Sequence, residues 1–185
     1  MAKHKSNKAV LVIIMAMSVF VSAFALTVFA ANENVIVGIT SDPTISGAAH
    51  GDNATIPIIV YNVTDLAAGT LKVTYDSSVC NVANVTIGDL PEVVKNLGRP
   101  GLAIISAFNS EAGLTGDVIF ANLTIEAIGT PGETSPLNIT VEILGTYSGV
   151  TIPVANISVN NGTFAVLDVI EPSVTNKSIG NSRWA

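Results

Sequence analysis

Apolar and polar side chains alternate along residues 71–79, Leu-Lys-Val-Thr-Tyr-Asp-Ser-Ser-Val, with the period of a β-strand. The apolar side chains up to Tyr75 share one parity and the polar ones share the other, which predicts a strand with one buried face. Asp76-Ser77-Ser78 interrupts the pattern with residues whose side chains hydrogen-bond their own backbone in turns. A second apolar run begins at Val79. The stretch therefore predicts one corner of an all-β module.

Short segments of the same design recur along the chain, separated by residues typical of turns. The predicted strands are Val35–Thr40, Thr55–Tyr61, Leu71–Tyr75, Val79–Ile87, Leu102–Phe108, Ile119–Glu126, Leu137–Ile143 and Gly162–Val169, with a further short one in Gly145–Pro153. The predicted connections are a loop at Ser46–Asn53, a turn at Asn62–Leu66, a helical turn or loop at Leu90–Gly98 and a loop at Asn109–Gly113. Eight or nine strands spaced by about 8–12 residues predict a β-sandwich.

The clearest alternation lies in two consecutive predicted strands. In residues 119–126 the pattern places Ile119 and every second residue after it on one face, and Phe120 on the opposite face. In residues 137–143 it places Val141 and Ile143 on the apolar face. Two such strands joined by a Gly- and Pro-containing turn indicate an antiparallel sheet with one solvated face. Pro57 has no backbone donor, so its strand is expected at a sheet edge or beside a bulge.

The ends of the chain differ from this middle part. Ala9–Ala31 is uncharged and almost wholly apolar, and three lysines precede it, so residues 1–31 are predicted to be a signal peptide, with a cleavage site after Ala30, or an N-terminal membrane anchor with an apolar helix. Both alternatives place the rest of the chain outside the cytoplasm, at the cell surface or in the medium. Residues 34–168 are predicted to form the β-sandwich domain, and residues 169–185 a linker or disordered tail.

The distribution of charge excludes one class of partner. Three of the eight Lys and Arg residues precede Ala31, so five remain against 14 acidic residues, and the net charge after Ala31 is −9. A strongly acidic domain lacks the basic footprint that nucleic acid requires. A membrane contact is expected only through residues 9–31, if they are retained.

Few residues are suited to catalysis. After residue 31 the only histidine is His50 and the only thiol is Cys80. A catalytic triad has nothing but His50 to use as its base, and a zinc site with three Cys or His ligands has too few of them. His50 is interpreted as a solvated loop residue, and Cys80 as a small buried side chain. We therefore predict no enzyme activity, no metal site and no cofactor.

Asparagines in N-glycosylation acceptor triplets are unusually frequent. The 16 Asn and the 32 Ser and Thr among 185 residues predict about 2.8 Asn-X-Ser/Thr triplets by chance, and the chain contains eight. Alternation of Asn and Thr on the solvated face of a strand explains part of this excess, and glycosylation of some sites is the other interpretation. The acceptor asparagines are Asn53, Asn62, Asn84, Asn122, Asn138, Asn156, Asn161 and Asn176.

Several segments between residues 34 and 168 together resemble the cohesin domains of cellulosome scaffolds and related prokaryotic surface proteins. The clearest is residues 67–79, which look like the strand that ends in a Tyr-Asp-Pro signature, with Ser77 at the place of the proline. The other matching segments are Gly51–Ile58, Gly88–Leu90, Gly113–Glu126 and Asn161–Phe164. The resemblance implies a nine-stranded jelly-roll β-sandwich, close in architecture to carbohydrate-binding modules, that binds a calcium-loaded dockerin domain.

The resemblance also indicates a candidate binding face and a difference from the family. Well-known cohesins carry an Asn and an Asp where this chain has Ala68 and Thr70, so the partner specificity is expected to differ. The candidate face comprises Ala68, Thr70 and Lys72 with the neighbouring loop residues Asn109, Ser110 and Glu111.

Three functions are compatible with the sequence. The first is a non-catalytic extracellular interaction module that docks a dockerin-type or other surface protein domain, in the context of polysaccharide breakdown. The second is a glycosylated cell-surface structural or adhesion module that acts without dockerin. The third is direct binding of polysaccharide, which usually requires exposed coplanar aromatic rings.

Overall fold

The computed structural model describes residues 34–39 and 46–168, and these residues form a β-sandwich. The predicted leader, the predicted tail and Asn176 lie outside the described residues. The strands are β1 (Val35–Gly38), β2 (Ser46–Ala49), β3 (Asn53–Thr74), β4 (Cys80–Ile87), β5 (Glu92–Arg99), β6 (Leu102–Phe108), β7 (Leu114–Ala127), β8 (Thr134–Thr146), β9 (Ile157–Asn160) and β10 (Gly162–Leu167). Between β8 and β9 lies a 3₁₀ turn, Val154–Asn156. Within the described ranges, no helix is long and apolar enough to cross a bilayer.

The long strand β3 belongs to both layers of the sandwich. Its first half pairs with β1 and β7, and together with β9 and β4 these strands form the first sheet. Its second half pairs with β6 and β8, and together with β5, β10 and β2 these form the second sheet. Apolar side chains from both sheets form a single buried cluster between them. This confirms the predicted β-sandwich.

The predicted turn at Asn62–Leu66 is wrong, because β3 continues through it. Asn62 and Asp65 have positive φ values of 55° and 63°, a conformation that Asn and Asp tolerate better than most residues. The register against β7 shifts on each side of Val63. The backbone donors of the two residues are satisfied by β7 side chains, since Asn62 N donates to Asp117 Oδ1 at 3.2 Å and Asp65 N to Thr115 Oγ1 at 3.0 Å. The turn-forming residues thus bend a strand without ending it.

Two further predicted connections are strands. Ser46–Ala49 in the expected loop pairs in parallel with β10 as β2, and most of the expected helical turn at Leu90–Gly98 is β5, paired with β6. The local sequence does not predict these two strands, because β2 consists of small residues and β5 has no regular polar pattern. Both form through pairing with strands that are distant in the chain. The described part of the chain consequently has ten strands instead of nine, although two of the predicted strands merge into β3.

A bulge in β7 corrects the predicted orientation of Phe120. Ile58 pairs with Ala121, whereas Ile59 pairs with Ile119, so Phe120 is the extra residue. The parity of the strand changes at this point. Phe120 is therefore fully buried, and Ile119 is only partly buried. Pro57 lies two residues before this shift, in agreement with the expected bulge.

The corner at residues 76–80 forms as predicted. Asp76 Oδ1 accepts hydrogen bonds from the Ser78 N–H at 2.9 Å and from the Ser78 hydroxyl at 2.6 Å, and these bonds lower the pKa of the Asp76 carboxyl. The Asp76 N–H donates to the buried hydroxyl of Ser135 at 2.8 Å. Tyr75 is buried, and so is Cys80, whose thiol has a pKa raised by that burial.

Candidate partner-binding surface

The sequence-predicted binding residues lie on the outer side of the second sheet. Ala68, Thr70 and Lys72 point outward from β3, while the residues between them are buried. On one side of β3, Ala68 pairs with Phe108 and Thr70 with Ser106 of β6. The outward residues of four neighbouring strands are collectively called the Thr70 face. They are Val94 of β5, Ser106 and Phe108 of β6, Ala68, Thr70 and Lys72 of β3, and Glu142 and Ile143 of β8.

One row of side chains crosses all four strands of this face. Val94 pairs with Ser106, Ser106 with Thr70, and Thr70 with Ile143. The two aliphatic side chains at the ends are strongly exposed, Val94 by 61% and Ile143 by 46%. The two hydroxyls in the middle hydrogen-bond each other at 2.9 Å. Each hydroxyl has one proton and two acceptor lone pairs, so the pair retains capacity for a hydrogen bond to a partner.

A surface depression lies next to this row. It is lined by residues of β3, β6 and β8, with Phe108 and Ile143 as the large apolar side chains of its lining. Gly69 lies in the lining, and the space that a Cβ atom would need there is occupied. Such an atom would lie 2.6 Å from Leu144 Cδ2 and 2.9 Å from Phe120 Cε2. The absence of a side chain at Gly69 therefore lets the core pack closely beneath the face.

Ile143 is exposed because β8 contains a bulge. Thr70 pairs with Ile143, but Leu71 pairs with Val141, so Glu142 is the extra residue. The parity of β8 changes there, and Leu144 takes the buried position. The predicted inward orientation of Ile143 is therefore wrong, whereas Val141 is partly buried against the core. The adjacent apolar pair Ile143-Leu144, which breaks the alternation, is the sequence signal that identifies this bulge.

Lys72 is part of an ion pair on this surface. Its Nζ lies 2.9 Å from Glu142 Oε1, and both side chains are partly exposed, by 37% and 41%. An exposed pair of this kind contributes little to stability. It does place two opposite charges at one end of the Thr70 face.

The loop at Asn109–Ser110–Glu111 adjoins the opposite end of the face. The Asn109 N–H donates to the carbonyl oxygen of Ala67 at 2.7 Å, and the Glu111 N–H donates to Asn109 Oδ1 at 3.0 Å. The first bond ties the loop to β3 beside Ala68, and the second lies within the loop. The structure thus places the six predicted residues around one surface, and adds to them Val94, Ser106, Phe108, Glu142 and Ile143.

The histidine and the cysteine considered as candidates for catalysis lie outside the Thr70 face. His50 is exposed, and its Nδ1 lies 2.8 Å from the carbonyl oxygen of Gly129. Cys80 is fully buried. Among the described residues, no group of three His, Cys, Asp or Glu side chains is placed to hold a metal ion. The Thr70 face instead combines a pair of hydroxyls with exposed aliphatic groups.

Comparison with known proteins identifies the fold. No family model and no curated protein matches the sequence, whereas many cohesin structures match the coordinates. A non-cellulosomal cohesin from the archaeon Archaeoglobus fulgidus is 18% identical, with a TM-score of 0.59 over 75% of this chain and 93% of that one. A solution structure from Clostridium acetobutylicum, named CaCohA2, is 20% identical, with a TM-score of 0.59 over 74% of this chain and 92% of that one.

Some of the matching structures are complexes. A chain of a type I cohesin–dockerin complex from Clostridium thermocellum is 17% identical, with a TM-score of 0.56 over 72% of this chain and 98% of that one. At such identities the likeness establishes the fold alone. The described residues therefore have the cohesin β-sandwich fold.

Proposed function

We propose that this chain is a non-catalytic cohesin-like interaction module that acts outside the cell and docks a dockerin-type protein domain through the Thr70 face. The observation that carries the proposal is the row Val94–Ser106–Thr70–Ile143, in which exposed aliphatic groups flank a hydroxyl pair. Interfaces draw most of their affinity from a few well-packed central side chains within a polar rim. Phe108 and Ile143, which line the depression beside the row, supply the apolar side chains of such a centre, and the Lys72–Glu142 pair supplies part of the rim.

The cohesin fold supports this choice of partner, because dockerin complexes are among the structures with this fold. Ala68 and Thr70 replace the polar pair expected in the family, so this surface offers fewer buried hydrogen bonds and more apolar contact. A partner suited to it presents small or apolar side chains between Phe108 and Ile143. A partner with polar groups placed for the usual Asn and Asp would leave them unsatisfied, at about 1–3 kcal/mol each.

The experiment is a calorimetric titration of the purified domain with dockerin-bearing proteins of the same organism, in calcium and in a chelator. We expect calcium-dependent binding that Ile143→Asp weakens by at least about tenfold, or 1.4 kcal/mol. The matched control is Ile87→Asp, which places the same charge at an isoleucine of β4 that is 58% exposed. Binding by no dockerin, or equal weakening by both substitutions, would refute the proposal.

A glycosylated surface module without dockerin is the second proposal, and the absence of dockerin sequences from the host genome would favour it. Direct carbohydrate binding has less support. Of the six aromatic residues between residues 46 and 168, Tyr147 is the one with an exposed side chain, by 54%, while Phe120, Phe164 and Tyr75 are buried. These residues do not form a planar aromatic strip. Binding of the domain to a glycan array would be the result that supports this function.

A further inference from the structure

Three of the acceptor triplets converge on the outer side of the first sheet. Antiparallel pairing aligns outward residues of β3, β7 and β4 in three rows, which are together called the Asn122 face. The rows are Pro57–Asn122–Thr86, Thr55–Thr124–Asn84 and Asn53–Glu126–Asn81. None of these side chains is buried.

The triplets are complete on this face because a strand has a period of two. In Asn-X-Thr the Asn and the Thr point to the same side, so Asn53 with Thr55, Asn84 with Thr86 and Asn122 with Thr124 are all presented outward. Glu126 is the single ionisable side chain among the nine residues. The face therefore has neither the apolar anchors nor the paired charges of the Thr70 face.

The amide groups of the three asparagines are in different situations. Asn53 is exposed at the start of β3. The Asn84 side chain uses its oxygen, since Oδ1 accepts a hydrogen bond from Lys95 Nζ. Asn122 uses its nitrogen, since Nδ2 donates to the carbonyl oxygen of Ile87 at 2.9 Å. N-glycosylation replaces one of the two hydrogens of the amide nitrogen. Of the three asparagines, Asn122 is the one whose nitrogen is held against the sheet by a hydrogen bond, and it is also partly buried on the strand between β3 and β4. Modification is therefore least favoured at Asn122.

We infer that the Asn122 face is a glycosylated face, with N-linked oligosaccharides on Asn53 and Asn84 and an unmodified Asn122. The donor is an oligosaccharide linked to a lipid phosphate. The bond between its anomeric carbon and the phosphate oxygen breaks, and the lipid phosphate leaves with the electron pair. The same carbon forms a bond to Nδ2, and the amide releases one proton to the solvent. Asn53 and Asn84 are two strands apart, about 10 Å across the sheet, which leaves room for two glycans. The inference is independent of the dockerin proposal, because it concerns the opposite sheet.

The test is glycopeptide mass mapping of the full chain purified from its native organism. We expect carbohydrate mass on the peptides that contain Asn53 and Asn84, and none on the peptide that contains Asn122. Asn138, which lies on the second sheet opposite Thr74, provides a comparison in the same digest. Absence of modification from both Asn53 and Asn84, or modification confined to Asn122 or to Asn138, would overturn the inference.

Matched variants separate glycosylation from a structural role of these residues. Thr55→Val and Thr86→Val remove the acceptor triplets but keep a β-branched side chain that suits a strand. Each is expected to remove the mass of one glycan from the intact protein, whereas Thr55→Ser and Thr86→Ser, which keep the triplets, retain it. If both valine variants carried the same carbohydrate mass as the unsubstituted protein, the inference would be contradicted. Circular dichroism of the same samples verifies that they are folded.

Discussion

The two outer faces of the sandwich share the strand β3 and differ in their chemistry. On the Asn122 face, β3 contributes Asn53, Thr55 and Pro57, and the neighbouring strands add mainly Asn and Thr. On the Thr70 face, the neighbours of β3 add exposed aliphatic groups and an ion pair. One face is therefore mainly polar, and the other combines exposed apolar groups with an ion pair. The bend at Asn62–Asp65 separates them, because it carries β3 from one sheet to the other.

Bulges act in opposite directions on the two sheets. In the first sheet, the bulge at Phe120 turns a large side chain into the core. In the second sheet, the bulge at Glu142 turns Ile143 out of it, and Leu144 fills the buried position instead. Each bulge changes the parity of its strand. The exposed isoleucine of the Thr70 face therefore results from a bulge that moves one apolar residue outward, at a point where the next residue fills the core.

The substitution with the largest expected effect on stability tests the bulge of the first sheet. Phe120→Ala should lower the free energy of unfolding by about 3–5 kcal/mol, because it leaves a cavity between the sheets. Ile119→Ala, at the partly buried neighbour, should cost less than half as much. Urea denaturation of both variants measures the difference. The reverse order would mean that β7 alternates without a bulge.

The bulge of the second sheet predicts a similar contrast between two adjacent residues. Leu144→Ala should cost about 2–5 kcal/mol, since Leu144 is fully buried. Ile143→Ala should change stability by no more than about 0.5 kcal/mol, as is usual for exposed positions. Urea denaturation again provides the measurement. A comparable cost for both substitutions would show that Ile143 belongs to the core and not to the Thr70 face.

The smallest expected effect concerns the charges of the Thr70 face. A double-mutant cycle with Lys72→Met and Glu142→Gln should give a coupling energy of about 0.2–1 kcal/mol at low salt, because both side chains are partly exposed. Added salt should reduce it. A cycle of Lys72→Met with Glu126→Gln on the Asn122 face is the control, and its coupling should be close to zero. Equal coupling energies in both cycles would show that the Lys72–Glu142 pair does not distinguish the Thr70 face from the Asn122 face.

Local patterns predicted the strands better than the connections. Leu102–Phe108 was predicted with the bounds that the structure has, since it is a short apolar run with turn residues on both sides. The strand β5 was missed because its outward Val94 and its polar residues do not alternate, and its pairing with β6 supplies what the pattern lacks. At the candidate site, Ala68, Thr70 and Lys72 were predicted from the resemblance to cohesins, whereas Ser106 and Ile143 become their neighbours only through strand pairing.

The sequence by itself determined the fold class, the corner at Asp76 and the burial of Tyr75 and Cys80, because period-two alternation and turn chemistry act between residues that are close in the chain. It also contained the signs of both bulges, as adjacent apolar residues where alternation requires a polar one. Only the tertiary structure decided which of two adjacent apolar residues is buried, and which acceptor asparagine commits its nitrogen to a hydrogen bond. Those choices depend on the register of distant strands, and the register is set by how the whole core packs.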